Sequence, residues 1–464
     1  MLRLRCQSCG REVPADAAAP WRCPSAGDGG DHVLASAAPF TPGAEPAEPN
    51  PFVRYRAQLT AHAVALARGM TDAQFVALVR ELDGAVAAVD HRGFVETPFA
   101  RSALLSEAAG LQAPGGVFVK DETHNVSGSH KARHLMGLAL FAEVQQRVRI
   151  ASGPPARLAI ASCGNAALAA AVLAAAWKRA LDVFIPTDAN PRVVERLQAL
   201  GATIHVCERE AGVPGDPCYH AFRRAVDAGA LPFCCQGSDN GLTIEGGKTL
   251  AWEMAAALQR EGRTLDRLFI QVGGGALASS AWQGLREALP ASVLPKLHAV
   301  QTRGAHPLRR AWERVAARMA ERLGIEVPVQ ETPHADASLA GALHARLGEA
   351  AGRAALEEAL AFAAANRARF MWPWEHEPKS VAHGILDDET YDWLAIVRGT
   401  LESGGFPLVV SEERLEEAHA LGARAGYSAE HTGTAGLAGL LALGAEGLLG
   451  PAESAAVLFT GVER

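Results

Sequence analysis

Arg267-Leu-Phe-Ile-Gln-Val-Gly-Gly-Gly-Ala-Leu277 reads as a short apolar strand, three glycines and the opening of a helix that continues to about Leu289. Glycines let the backbone approach an anion closely, and a helix start offers unpaired N–H groups and the positive end of the helix dipole. The turn Gly273, Gly274, Gly275, Ala276 is therefore a candidate phosphate cradle; the alternative is a tight strand–helix turn with nothing bound. The spacing is not the GxGxxG of dinucleotide folds, and no Walker lysine follows. A small monophosphate suits the turn better than a nucleotide.

The same strand–loop–helix grammar recurs on either side. Gly116–Lys120 reads as a strand followed by a polar loop and a helix from about His130. Arg157–Ala161 runs into a Ser-Cys-Gly-Asn loop and an Ala-rich helix. Leu181–Ile185 precedes a helix over Pro191–Leu200 and a strand over Thr203–Cys207, and Leu297–Gln301 and Ala456–Thr460 complete the set. Strands alternating with helices argue for an α/β protein with largely parallel sheets. Residues 1–36 form a small cysteine-bearing segment, residues 37–51 a Pro/Ala/Glu-rich linker, and residues 52–464 the main body.

The bulk composition excludes several classes. The chain has 464 residues, 49% apolar and 20% charged, with a net charge of -7. That is a globular balance, long enough for two or three compact units. No basic tract marks a nucleic-acid partner. No apolar run is long enough to span a bilayer, and Met1–Cys6 lacks a hydrophobic signal core. The expectation is a cytoplasmic protein whose eight cysteines stay mostly reduced.

The most informative stretch is Lys120-Asp-Glu-Thr-His-Asn-Val-Ser-Gly-Ser-His-Lys-Ala-Arg133. Lys131 stands at a helix start behind a Ser-Gly-Ser turn, beside backbone dipoles that disfavour its positive charge. A neutral amine is what imine chemistry needs; the alternative is a solvated surface lysine. The stretch resembles the cofactor-lysine motif of the pyridoxal-phosphate enzymes of fold type II, the tryptophan synthase β family, which includes threonine synthases and the threonine and serine dehydratases. His130 before Lys131 is similar to the tryptophan synthase β version. Ala161-Ser-Cys-Gly-Asn-Ala-Ala167 resembles the family's Ser-Ser-Gly-Asn loop. Glu245-Gly-Gly-Lys-Thr249 resembles a threonine synthase segment, Ser380-Val-Ala-His-Gly384 a dehydratase segment, and Glu430-His-Thr-Gly-Thr-Ala435 the stretch whose hydroxyl faces the pyridine nitrogen. These motifs occur in the family's order over roughly residues 50–464.

The resemblance implies two α/β/α subdomains of mostly parallel sheet, a smaller movable one at about 132–245, and a homodimer. It implies that Lys131 carries pyridoxal 5′-phosphate as an imine, with His130 beside it and Asn165 hydrogen-bonded to the cofactor's 3′ oxygen. Gly273, Gly274, Gly275 and Ala276 would hold the phosphate. Thr432 would face the ring nitrogen, with Thr434 as the alternative register. Ser127, Ser129, Ser162, Cys163 and Gly164 would bind a small amino-acid substrate, the last three as a carboxylate cradle; the alternative for that loop is a helix cap. A hydroxyl at the ring nitrogen cannot keep it protonated, so elimination or replacement at Cβ or Cγ is expected over aminotransfer. Threonine synthase-like elimination/replacement stands first. Ala132, where threonine synthases of this type carry Asp, and the Ser380–Gly384 segment speak for a threonine/serine ammonia-lyase instead. A scaffold of this fold that binds an amino acid without turning it over is the non-enzyme reading.

Cys6-x2-Cys9 is half of a zinc ribbon, Cys23 follows, and His32 would complete a Cys3His set, with Asp28 and Asp31 as weaker candidates. The alternative is a degenerate ribbon with three thiols that hold no metal. Trp372, Trp374 and Trp393 are expected in core packing or a subunit contact, Cys234 and Cys235 as small buried apolar groups, His124 and His134 as ordinary hydrogen-bonded histidines, and the charge-rich helix Leu308–Arg322 as a solvated face.

Overall fold

The structure, a computed structural model, describes residues 2–36, 40–41, 47–151, 154–209, 213, 215–330 and 332–464. Of the expected linker, residues 37–39 and 42–46 lie outside the described residues. Contacts group the chain into two compact units. The first is Met1–Pro24, Val33–Glu96 and His124–Leu250; the second is Thr97–Thr123 and Ala251–Arg464 with the short loop Ser25–His32.

The first unit holds a four-stranded, wholly parallel sheet. Its strands, in spatial order, are Thr203–Cys207, Leu181–Pro186, Leu158–Ala161 and Leu231–Pro232. The helices Lys131–Arg147 and Asn165–Ala176 pack on each other, and the latter also packs on the tight turn Val126–Gly128. Ala at eight of the twelve positions of Asn165–Ala176 lets the neighbouring backbones come close. The helix Asp72–Asp90 opens with a capping box, Thr71 bonded to the Gln74 amide and Gln74 back to Thr71. A small antiparallel sheet of Glu12–Pro14, Arg3–Cys6 and Leu34–Ser36 forms the amino-terminal segment.

The second unit is built on a six-stranded sheet in the order Leu408–Val410, Lys296–Thr302, Arg267–Gln271, Ser454–Phe459, Gly116–Asp121, Phe99–Ser102. Five strands are parallel and Phe99–Ser102 closes one edge antiparallel. The central strands are buried along their whole length, as parallel strands covered by helices must be. Lys120, inside one of them, is fully buried and paired with Glu253 at 2.5 Å. An unpaired charge there would be very costly, and the Thr97 carbonyl oxygen also accepts from its ammonium at 2.8 Å.

The α/β architecture with mostly parallel sheets is as expected, and the strands and helices anticipated from the sequence lie within one or two residues of their observed bounds. One reading is corrected. The helix Pro307–Leu323 is no solvated face: Leu308, Ala311, Trp312, Val315, Ala316, Met319 and Ala320 are buried. Its arginines mask a regular apolar stripe, with Arg310 stacked over Trp372 and Trp374 at 4.1 and 4.5 Å. Trp393 is fully buried, and Cys234 and Cys235 are buried small groups, as expected.

Candidate active site

In the first unit, Ser127 adopts a left-handed conformation (φ 53°) followed by Gly128 at φ 68°, and Ser129 is extended. A left-handed serine is strained unless its backbone is held. Asp90, at the end of a helix 37 residues earlier, does so by accepting the Ser127 amide at 2.7 Å. Asn125 braces the other side, its Nδ2 donating to the Ser129 carbonyl at 3.0 Å. The chain then enters the helix through His130 with Lys131 as its first residue, half-buried. Ser129 Oγ is buried with no hydrogen-bond partner among the described residues. A buried hydroxyl is normally satisfied, so this one is ready for a ligand.

His130 and His134 lie edge to face 5.6 Å apart. Burial, reinforced by the nearby Lys131 charge, holds His130 well below the ordinary histidine range and pushes His134 down to about 3. Both are neutral imidazoles at physiological pH. His134 Nδ1 lies 2.9 Å from the Thr243 carbonyl oxygen and so carries the proton, leaving Nε2 as an acceptor.

The Glu245–Thr249 motif acquires a packing reason. A Cβ at Gly246 would overlap the carbonyl oxygen of Arg133, and one at Gly247 would overlap the His134 ring. The two glycines let the helix Thr243–Glu261 press directly against the start of the Lys131 helix. Glu245 accepts from the Thr60 amide at 2.9 Å and hydroxyl at 2.5 Å, and Arg133 Nη1 donates to Thr249 Oγ1 at 3.0 Å.

Gly164 is the N-cap of the helix Asn165–Ala176, which has no side-chain cap. Ser162 Oγ accepts only weakly from the Gly164 amide, at 3.4 Å. Ser162, Gly164 and Asn165 are half-buried and Cys163 is exposed, so this uncapped helix start lies at an accessible place.

In the second unit, Gly275 is left-handed (φ 95°) and is the N-cap of the helix Ala276–Ala288, again without a side-chain cap. The carbonyls of Gly273 and Gly274 accept from Thr390 Oγ1 at 2.9 Å and the Asp392 amide at 3.1 Å. These bonds fix the turn's orientation while the helix's first amides stay uncapped. A Cβ at Gly273 would overlap the Asp387 carboxylate and approach Ile385 Cα to 2.7 Å, and one at Gly275 would meet Thr390 Cγ2 at 2.9 Å. The strap Ile385–Asp392 against this turn was not anticipated; its signal was the Asp/Thr/Tyr cluster directly after Ser380–Gly384.

Thr432 and the Ser380–Gly384 segment come together here. Thr432 Oγ1 accepts from the Gly384 amide at 2.9 Å, which leaves its hydroxyl proton to donate elsewhere. Thr434 is buried, and its hydroxyl bonds back to Glu430 and His431 carbonyls of its own helix. The Thr432 helix packs on the strand Arg267–Gln271 that leads into the glycine turn.

Cys6, Cys9, Cys23 and His32 have ligand atoms all within 4.8 Å of one another. Asp28 bonds His32 Nε2 at 2.9 Å, whereas Asp31 lies 3.8 Å from Arg367.

Each unit by itself presents groups of the kind pyridoxal phosphate needs: the first an accessible lysine at a helix start, the second an uncapped helix end behind a glycine turn and a hydroxyl with its proton available. Comparison with known proteins bears on the same point. Residues 91–364, more than half of the chain, match the pyridoxal-phosphate dependent enzyme family. An L-serine dehydratase of Saccharomyces cerevisiae is 29% identical over 200 residues, covering 42% of this chain and 58% of that protein. A serine dehydratase-like protein of Homo sapiens is 30% identical over 227 residues, covering 48% and 62%. The chain thus spans about three-fifths of the length of these curated relatives. Among solved structures, a threonine deaminase from T.th. superposes with a TM-score of 0.54 at 22% identity, covering 83% of this chain and 98% of the other. A diaminopropionate ammonia lyase from Escherichia coli gives 0.57 at 15%, covering 84% and 88%. Similarity at that identity speaks for the fold alone. The fold, the donor set and the match over residues 91–364 together place this chain in the pyridoxal-phosphate dependent enzyme family.

Proposed function

We propose that the protein is a pyridoxal-phosphate-dependent lyase that removes ammonia from a small β-hydroxy amino acid such as serine or threonine. The relatives described above are dehydratases, deaminases and ammonia-lyases, which favours this reading over threonine synthase-like replacement. The observation that carries it is the seat of Lys131: half-buried at a helix start, directly behind a buried serine hydroxyl that has no hydrogen-bond partner among the described residues.

When bound, pyridoxal phosphate supplies the electron sink that acidifies the substrate Cα–H. Lys131 would hold its aldehyde covalently and, once displaced by the incoming amino group, take the Cα proton. His130 would lie beside it as a neutral ring. Gly273, Gly274, Gly275 and Ala276 would hold the phosphate through backbone N–H groups. Asn165 would donate to the 3′ oxygen. Thr432 would donate to the ring nitrogen without protonating it, which disfavours aminotransfer. Ser162, Cys163 and Gly164 would orient the substrate carboxylate at the uncapped helix start, and Ser127 and Ser129 would face the substrate's polar groups. By family resemblance the working assembly is a homodimer acting in the cytoplasm. None of the eight cysteines is in a disulfide, and among the described residues no helix is long and apolar enough to cross a membrane.

The test is borohydride reduction of the cofactor-supplemented protein, with peptide mass mapping, beside an assay of ammonia and oxo-acid release from serine and threonine. An adduct on Lys131 with both products supports the proposal. An adduct without ammonia release from either amino acid overturns the lyase assignment, and labelling elsewhere overturns the role of Lys131.

A further inference from the structure

The amino-terminal segment plays no part in the chemistry above, yet it has the geometry of a metal site. The strand Arg3–Cys6 ends at Cys6, and the chain turns back at once, the Gly10 amide donating to the Cys6 carbonyl at 3.0 Å and the Cys6 amide to that of Arg11 at 2.8 Å. Gly10 is left-handed at φ 70°, so the tight turn carries Cys9 back beside Cys6. Cys9 and Cys23 bring their sulfurs to 3.6 Å, and neither is in a disulfide. Two thiolates on a tetrahedral zinc ion, each at roughly 2.3 Å, stand about 3.8 Å apart. His32 lies two residues before the strand Leu34–Ser36 and completes the set, all four ligand atoms falling within 4.8 Å of one another.

Two further observations point to a ligand. Cys6, Cys23 and His32 are all more than nine-tenths buried, so three of the four donors converge away from water. His32 Nε2 is 2.9 Å from Asp28 Oδ1. A metal-bound histidine usually gives its other ring N–H to a carboxylate, which fixes the tautomer and leaves the remaining nitrogen for the ion. Asp28 is so placed.

We propose that Cys6, Cys9, Cys23 and His32 bind one structural zinc ion in a closed Cys3His site. With four protein ligands no position is left for water or substrate, so the ion stabilises the segment rather than catalysing a reaction. The segment is a backing plate for the fold. The Gly241 amide donates to the Trp21 carbonyl at 3.1 Å, and Gly241 packs so tightly on the Leu34 carbonyl that no side chain fits. Gln145 at the end of the Lys131 helix donates to the Ala17 carbonyl at 2.8 Å, and Arg68 pairs with Asp16 at 2.7 Å. The loop so held leads straight into the helix Thr243–Glu261. Strands of three and four residues cannot hold this shape by their own core, so the metal supplies the cross-link.

The experiment is metal analysis of the full chain purified without added metal, with cobalt substitution. Expected are about one zinc per chain, thiolate-to-cobalt charge-transfer absorption after exchange, and loss of nearly all zinc in Cys6→Ser and Cys23→Ser but not in Cys207→Ser. Should the cysteine variants fail to fold, the wild-type protein serves: a mercurial that releases one zinc per chain, followed by faster hydrogen exchange of the Gly241 amide, supports the site. Wild-type protein without zinc that also fails to take up cobalt overturns the proposal, as does retention of full zinc in Cys23→Ser. So does a Cys9–Cys23 disulfide in the protein isolated without reductant. Cofactor attachment at Lys131 is read separately by borohydride trapping, so failure of one proposal leaves the other standing.

Discussion

Two glycine clusters, Gly246-Gly247 in one helix and Gly273–Gly275 before another, look alike as strings of letters and do opposite things. In the first, the glycines sit inside a regular helix and exist because a neighbour is close: the Arg133 carbonyl at Gly246 and the His134 ring at Gly247. In the second, Gly273 is likewise crowded by Asp387 and Ile385, but Gly275 is demanded by the backbone itself, being left-handed and capping a helix whose first amides have no side-chain partner. The first pair positions the helix that carries Lys131; the second offers N–H groups to an anion. A glycine motif shared with a family thus marks close approach, and only the backbone tells whether the thing approached is protein or ligand.

Gly246→Ala tests this contrast hardest. The added methyl meets backbone, which cannot swing aside, so the variant should lose about 3 kcal/mol of stability, read as a lowered denaturant midpoint. It should lose cofactor only as it unfolds. A variant that melts normally but binds no pyridoxal phosphate would show that Gly246 belongs to the ligand site.

Acid should act next on the same region. His134 is held at about 3 by burial, below the roughly 6.5 of an unfolded histidine. The unfolded chain therefore binds the extra proton, and the stability this residue contributes is full above about pH 6.5 and lost as pH falls toward 3; at pH 5 the loss is about 2 kcal/mol. Burial raises Asp31 to about 6, which gives a slope of opposite sign over about pH 4–6, stability from that residue fading as pH rises. The readout is thus the difference between wild type and His134→Gln, whose stability should fall less steeply between pH 7 and 5. Parallel profiles would mean the imidazole is not buried neutral.

Gly275→Ala probes the other cluster. A left-handed alanine costs about 1–2 kcal/mol, and its methyl would press on Thr390 Cγ2 at 2.9 Å. Pyridoxal phosphate should bind about tenfold more weakly, while unphosphorylated pyridoxal binds as before, measured by equilibrium titration. Equal weakening of both ligands would remove the phosphate from this turn. The smallest effect is expected from Thr434→Val, whose hydroxyl merely bonds its own helix: less than about 1 kcal/mol of stability and an unchanged cofactor spectrum. Thr432→Val should alter that spectrum, and the reverse outcome would exchange the two residues' roles.

Much of this was readable beforehand, for physical reasons. Strands such as Arg267–Gln271 are buried on both faces and so appear as unbroken apolar runs, and each is followed by turn residues that only one geometry accommodates. The left-handed Ser127 was not readable, because its anchor Asp90 lies 37 residues away and nothing local announces the pair. The helix Pro307–Leu323 misled because its arginines draw the eye, while the apolar stripe at 308, 311, 312, 315, 316 and 319 is regular. The strap Ile385–Asp392 has no periodic pattern at all; its place against the glycine turn is set by tertiary hydrogen bonds from Thr390 and Asp392.

The burial of Lys120 bears on how this chain meets electrophiles. Only six lysines occur in the sequence. Lys120 is sealed and neutralised by Glu253, and Lys248 is 4% exposed, while Lys178, Lys296 and Lys379 lie out in solvent. A small aldehyde diffusing in water can sample the outer three, yet none of them is half-sheltered at a helix start. An amine-reactive reporter applied in a dose series should therefore mark the outer three first and spare Lys120 until the fold opens, a built-in register of denaturation.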